Sequence, residues 1–386
     1  MMPPSFLDRV VRFLASIRLT AVCLVLALGV VFWGTLAQVE MGLYRAQHEF
    51  FRSLFIYWGP ARAAWRIPVF PGGYLVGGVL LVNLIAALGK RFALTPKRLG
   101  LWLAHVGLIL LLLGQLLSDL LSQESTLHLR EGQARNYSEA ERETELAVVE
   151  AAGADTDNVV VIPQRLLAQE KTIAPGRLPF AVRVRKFFAN SEVAEPTAAA
   201  AQPAAATQGI GRHAIVRGLA RATAMNTRDV PSAVVEIETP QGSLGTWLLS
   251  EFIGEPQSLV WSNRTYQLTL RPRRYYTPYH VQLVRFQHEV YPGTDIPRHF
   301  SSRVRLSRAD TGEQREVLIY MNNPLRYAGA TYYQSGFDPD NHGTILQVVR
   351  NPSWLTPYLA CALVGAGLLI QFAIHLWGFV FKRRTA

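Results

Sequence analysis

The sequence predicts a polytopic α-helical membrane protein with four transmembrane helices and a large, mostly β extracytoplasmic domain. Three observations carry that prediction. Four apolar runs reach or approach the ~20 residues needed to cross a hydrocarbon core of about 30 Å. Lysines and arginines gather at one set of run ends. Between the third and fourth runs the texture changes to short alternating segments of strand type. A composition of 49% hydrophobic and 17% charged residues suits a mixture of membrane spans and a sizeable aqueous part.

Residues 1–18 form an N-terminal segment with Arg9, Arg12 and Arg18, and the first span follows at 19–37. A loop over 38–73 leads to the second span, 74–89, the shortest of the four. Lys90, Arg91, Lys97 and Arg98 lie in a basic loop over 90–100, and the third span covers 101–121. The fourth occupies 358–381 and is followed by Lys382, Arg383 and Arg384 in the tail 382–386. With four spans, all three basic clusters fall on one side, which the positive-inside rule makes cytoplasmic. Both termini are then cytoplasmic, and residues 38–73 and 122–357 lie outside. Trp102 and Trp377 at one face, with Tyr74, Trp354 and Tyr358 at the other, fit aromatic interfacial belts. Thr35-Leu36-Ala37 would pass as a signal-peptidase site, but the apolar run exceeds the usual h-region, so an uncleaved span is expected.

In the outer region, 182–185, 233–237, 266–270, 281–284, 304–306 and 344–349 read as strands. Pro292-Gly293 and Asp338-Pro339-Asp340 punctuate them. No long helical pattern intervenes, so a sandwich-like or barrel-like β domain is expected. The Ala/Pro-rich stretch 193–211 has no periodicity and reads as a flexible insert dividing the domain into two lobes.

Several function classes are excluded at this point. Cys23 and Cys361 both lie in apolar runs and make no CxxC, zinc spacing or haem-attachment motif, so both are expected as small packing residues. The net charge of +11 resides largely at span ends, and no basic stripe points to a nucleic acid. His128, His213, His280, His288, His299 and His342 show no metal-ligand spacing. No triad or paired-carboxylate arrangement suggests a stand-alone catalytic site.

Polar residues inside the spans carry most weight, because lipid penalises them. Asn83, His105, Gln115 and His375 stand out, with Asp119 near the outer end of the third span. Asn83 and Gln115 read as interhelical hydrogen-bond formers, worth around 1 kcal/mol each. His105 reads either as such a contact or as an axial ligand to haem iron. It lies ~6 Å along the third span from its basic end, and His375 lies ~10 Å from the basic end of the fourth, at 1.5 Å per residue. The two histidines therefore fall at similar depth, with His375 close enough to the boundary for a structural role.

Several motifs resemble the ResB/CcsB family of cytochrome c biogenesis proteins. Near the first span these are Ser16-Ile17-Arg18-Leu19-Thr20 and Trp33-Gly34-Thr35-Leu36-Ala37-Gln38. Asn83 with Lys90-Arg91, and Ala104-His105-Val106-Gly107, are similar to the second and third spans of that family. The more specific pieces lie in the outer domain. They are Tyr291-Pro292-Gly293-Thr294 with Phe300-Ser301-Ser302, and Met321-Asn322-Asn323-Pro324-Leu325-Arg326-Tyr327 followed by Tyr332-Tyr333-Gln334-Ser335-Gly336-Phe337. Leu346-Gln347-Val348-Val349-Arg350 precedes the last span.

The resemblance implies a role in system II of cytochrome c maturation, in the plasma (inner) membrane with the large domain outside. There a ResB-type protein works with a CcsA/ResC-type partner to export haem b and attach it to apocytochrome c. The Trp-rich haem-handling motif belongs to the partner and is absent here, so this chain would be one subunit of a cytochrome c haem lyase complex. His105 matches the family's transmembrane histidine and becomes the candidate axial ligand to haem iron, with His375 a weaker candidate. Asn322, Asn323, Pro324, Arg326 and Tyr327 form a motif of structural or partner-binding character. A membrane-anchored structural or sensory protein and a stand-alone membrane oxidoreductase are the alternative readings.

Overall fold

The computed structural model describes residues 5–59, 65–91, 95–151, 156–195, 204–222, 227–294 and 297–384. The chain divides into a helical unit, built from residues up to Gln123 and from Asn351, and a β unit within Glu124–Arg350.

The helical unit contains four helices long and apolar enough to cross a membrane: Ile17–Met41, Gly73–Arg91, Leu99–Leu121 and Thr356–Arg384. They contain the four expected runs. A further helix, Phe6–Leu14, precedes the first span and is not expected from the apolar runs. Ser5 caps it by accepting the Asp8 N–H at 3.2 Å. Phe6, Leu7 and Phe13 are exposed, and Arg9 and Arg12 are interleaved with them in amphipathic order. The helix ends at Ala15, and Ser16 restarts the path by accepting the Leu19 N–H.

Asn83 of the second span holds this break together. It is fully buried; its amide donates to the carbonyls of Leu14 (2.5 Å) and Ser16 (3.1 Å), and its oxygen accepts the Thr20 hydroxyl at 2.6 Å. Gly42, at φ +80, terminates the first span. The connection onward contains a hairpin, Phe55–Trp58 against Ile67–Pro71. Its Ile56 packs with Cys23, Val30 and Val76. Cys361, by contrast, is exposed on the fourth span, so the expectation of packing holds for Cys23 alone. Gln115 is exposed as well, and the expected interhelical bond is not made among the described residues.

In the β unit the expected strand segments all fall within strands, but two of them are one strand. Residues 266–270 and 281–284 both belong to a 27-residue ribbon, Arg264–Val290. It pairs antiparallel with another long strand, Ala134–Ala151, in a ten-stranded sheet. A second sheet of four strands contains Ala181–Phe188, Ser232–Thr239 and Gly242–Ser250.

Two hydrophobic cores result. In the first, Tyr266, Leu268 and Leu270 of the ribbon meet Val182, Val235 and Leu249 of the four-stranded sheet. In the second, Tyr279, Val281 and Leu283 pack with Leu129, Val304 and Leu346 as the large sheet curves round. Along the ribbon the inward-facing positions are even-numbered at 266–270, in the first core, and odd-numbered at 279–283, in the second. Register shifts between Pro272 and Arg274, and between Tyr276 and Val281, supply the change of parity.

The two cores are thus divided by bulges in shared strands, and not by the Ala/Pro-rich stretch. That stretch lies with the first core. Ser191–Ala194 pairs with Ile215–Gly218, and Ala206 and Ala214 pack on Leu248. Residues 196–203 of it lie outside the described residues.

Glu251 is a buried carboxylate near this core. It accepts the Thr144 hydroxyl at 2.6 Å and faces Arg228 at 3.7 Å. Burial pushes its carboxyl above the ordinary range, and Thr144 and Arg228 only partly offset this. A folded-state pKa above the unfolded value means that the fold favours the protonated form. The destabilising effect of the charge is present at neutral pH and relieved as pH falls through the raised pKa. Glu251→Gln is therefore expected to raise the thermal midpoint of the β-sheet signal at pH 7 by about 2–4 °C. The difference should vanish once pH falls below the ordinary carboxylate range; an equal gain at low pH would contradict the assignment.

Candidate functional site

The third and fourth spans run antiparallel and touch backbone to backbone. Gly100, Ala104, Gly107 and Gly114 are buried along one face of the third. A Cβ at Gly107 would lie 2.7 Å from Val364 Cγ2, and one at Gly367 would lie 2.6 Å from the backbone of both Gly100 and Ala104. Without an apolar-versus-water driving force between helices, such small-residue seams let dispersion hold them.

His105 lies beside this seam, next to Ala104, and is half-buried. Its Nδ1 is 2.8 Å from the Leu101 carbonyl oxygen. A carbonyl oxygen only accepts, so Nδ1 carries the hydrogen. In the neutral ring the remaining lone pair is then on Nε2, the arrangement an axial imidazole requires.

His375 is exposed on the fourth span and bound differently. Gln371 Oε1 accepts the Leu101 N–H at 3.2 Å, one of the helix-start donors without an intrahelical partner. That fixes the amide orientation, so Gln371 Nε2 donates to His375 Nε2 at 2.9 Å and the lone pair there is engaged. The two histidines are linked through Leu101 and Gln371. Residues from both helices therefore build one polar cluster at the basic ends of the spans.

Gln371 is the residue that sequence reasoning missed. A glutamine four positions before His375, inside an apolar run, was the available signal.

At the opposite ends, Asp119 is held by two partners. Arg52 pairs with it at 2.7 Å and the Tyr74 hydroxyl donates to it, leaving its side chain 11% exposed.

In the β unit the 322–327 motif is a corner and a plug. Asn322 has φ +63, a conformation Asn tolerates, and the Asn323 N–H returns to the Tyr320 carbonyl at 2.9 Å. Leu325 is buried in the second core. Tyr327 packs edge-on against Tyr279 and donates to Glu313 at 2.6 Å. Arg326, on the alternate face between them, is exposed. Ser302, Gln334 and Thr344 make a buried hydroxyl–amide knot with bonds of 2.6 to 2.9 Å, spanning the bulge between Gln334 and Gly336.

Three outer histidines surround the 338–342 turn. His128 meets Asp338 at 2.9 Å, His288 meets Asn341 at 3.0 Å and His342 meets Glu131 at 3.4 Å. Among the described residues no group of three or more His, Cys, Asp or Glu could hold a metal ion.

Comparison with known proteins adds two findings. Residues 253–345 match the ResB-like family. Protein NrfI of Wolinella succinogenes is 34% identical over 102 residues, which covers 26% of this chain and 11% of that protein's length. The family match takes in the 322–327 corner, the Tyr332–Phe337 motif and the whole ribbon. Over residues 253–345, this chain is similar to the ResB-like family.

Proposed function

We propose that the chain takes part in cytochrome c biogenesis as the ResB-type subunit of a two-protein machine. The match of residues 253–345 to the ResB-like family carries this reading. Its partner is a CcsA/ResC-type membrane protein, its cargo haem b, and the acceptor apocytochrome c. The four apolar helices and the basic clusters at one set of their ends support a plasma (inner) membrane protein with cytoplasmic termini and an extracytoplasmic β domain.

Within this reading His105 is the axial ligand that this chain offers to the cargo. Its support is the tautomer set by Leu101, which leaves the lone pair on Nε2. The bond from Gln371 to His375 supports a structural role for His375, and thus a second axial ligand from the partner.

Cells lacking the chain are expected to secrete apocytochrome c without covalent haem. Restoring the chain should restore haem-stained cytochromes. Normal haem staining in its absence would overturn the proposal.

The exposed Arg326, held between two core residues, is a further contact with the partner or the apocytochrome. Arg326→Ala should lower cytochrome c assembly severalfold while the chain still accumulates. Unchanged assembly would confine the 322–327 motif to folding.

A further inference from the structure

The connection between the first and second spans contains a largely apolar hairpin, and it folds back along the first span. The hairpin Phe55–Trp58/Ile67–Pro71 pairs Ile56 with Phe70 and Trp58 with Ile67. Phe70 reaches Gly29, where a Cβ would lie 3.1 Å from its ring, and meets Trp33 edge-on at 5.6 Å. Trp33 and Gly29 stand about four and eight residues, or ~6 and ~12 Å of helix, before the end of the apolar run at residue 37, so the Phe70 ring is reached from the boundary side inward. The hairpin is therefore level with the apolar half of the first span nearer the second-span connection.

Ile56 is covered as well, but several neighbouring side chains are not. Trp58 is 61% exposed, Val69 57%, Trp65 53% and Ile67 50%. Across the Trp33–Phe70 contact this surface continues into the exposed apolar face of the first span, which includes Phe32 and Val31.

We propose that this hairpin is a membrane-interface anchor, with its exposed aromatic and aliphatic side chains seated in the headgroup–acyl boundary of the lipid leaflet. The proposal rests on the membrane reading of the four helices. Its occupant is lipid because the level is set by the first span and the surface is continuous with that span's own lipid-facing side. Two tryptophans with an arginine beside one of them, Trp65-Arg66, have the amphipathic character that headgroup regions select.

The backbone argues for the boundary over the hydrocarbon centre. A two-stranded hairpin has two outer edges of unpaired peptide groups, which only a hydrated layer can satisfy. Pro68 and Pro71 place two residues without an N–H in one of its strands, so that strand has fewer donors to leave unmet.

The test uses spin labels on the full-length chain in vesicles of phosphatidylethanolamine and phosphatidylglycerol. Cys361 is replaced by serine and buried Cys23 is kept. Labels go to Trp58→Cys, Ile67→Cys and Val69→Cys. Val25→Cys on the first span is the lipid reference, and Ser258→Cys on an exposed β position is the water reference. At the three hairpin sites the ratio of oxygen to nickel-chelate accessibility is expected to be severalfold above that at 258 and to approach that at 25. Water-like ratios at 58, 67 and 69, with a lipid-like ratio at 25, would overturn the anchor and leave the spans standing. Shielding from both reagents would mean that protein covers the hairpin, which also overturns it. A water-like ratio at 25 would instead remove the membrane reading beneath it.

Discussion

His105→Ala is expected to abolish haem bound to the purified complex and, with it, cytochrome c assembly. The loss should exceed about tenfold, the factor that follows from 1.4 kcal/mol of lost ligation. Leu101 fixes the His105 ring by accepting from Nδ1, so alanine removes a lone pair already in the tautomer that iron takes. External imidazole should partly restore the haem absorption band by filling the vacated axial position. His375→Ala should leave most of the haem and most assembly intact, because the Nε2 of that ring is engaged by Gln371. Loss of haem with His375→Ala and none with His105→Ala would reverse the assignment.

Asn83→Leu is expected to have the largest effect on folding. Leucine keeps the volume but takes the amide donor from the Leu14 carbonyl and leaves the Thr20 hydroxyl only its 3.4 Å bond to the Ser16 carbonyl, which still accepts the Thr20 N–H. An unmet buried polar group costs roughly 1–3 kcal/mol, and with the weakened Thr20 bond beside it the loss should be about 2–3 kcal/mol in all. Accumulation and thermal stability in detergent should both fall sharply. Thr20→Val, which removes only one donor, should cost about 1 kcal/mol by the same principle. Wild-type stability of Asn83→Leu would show that the break at Ser16 is held some other way. As a generic interhelical contact this asparagine would be worth only around 1 kcal/mol. Its larger part comes from bridging two helix ends, which spacing alone does not reveal.

The four spans were legible because a long apolar run has few other uses, and the outer-domain motifs at 291–302 and 321–337 lie within the segment that matches the ResB-like family. The smaller membrane-side elements were not. Phe6–Leu14 is nine residues long, and the hairpin strands are four and five residues with two prolines among them. At those lengths period 3.6 and period 2 are hard to tell apart. The ribbon reads as two strands because its inward face changes parity at Pro272, and a proline ordinarily ends a strand. In the site, His105 was legible from residue type and neighbours. Its tautomer was not, since that depends on a carbonyl one turn away, and Gln371 was hidden by having only an ordinary polar side chain.

The seam between the third and fourth spans also sets an order of events during synthesis. The Thr20–Asn83 bond joins residues 63 apart, so the first two spans can associate while the ribosome is still making the third. The bonds joining third to fourth connect residues 235 and 270 apart, from Ser118 to Ser353 and from Leu101 to Gln371. Everything between them, the whole β unit, has to be made before Gly107 can meet Ala360. Until then the third span exists with its glycine face uncovered and Leu101 unmet. A cell making this protein therefore has a defined interval in which the nascent chain carries its histidine but lacks the helix that orders the surroundings.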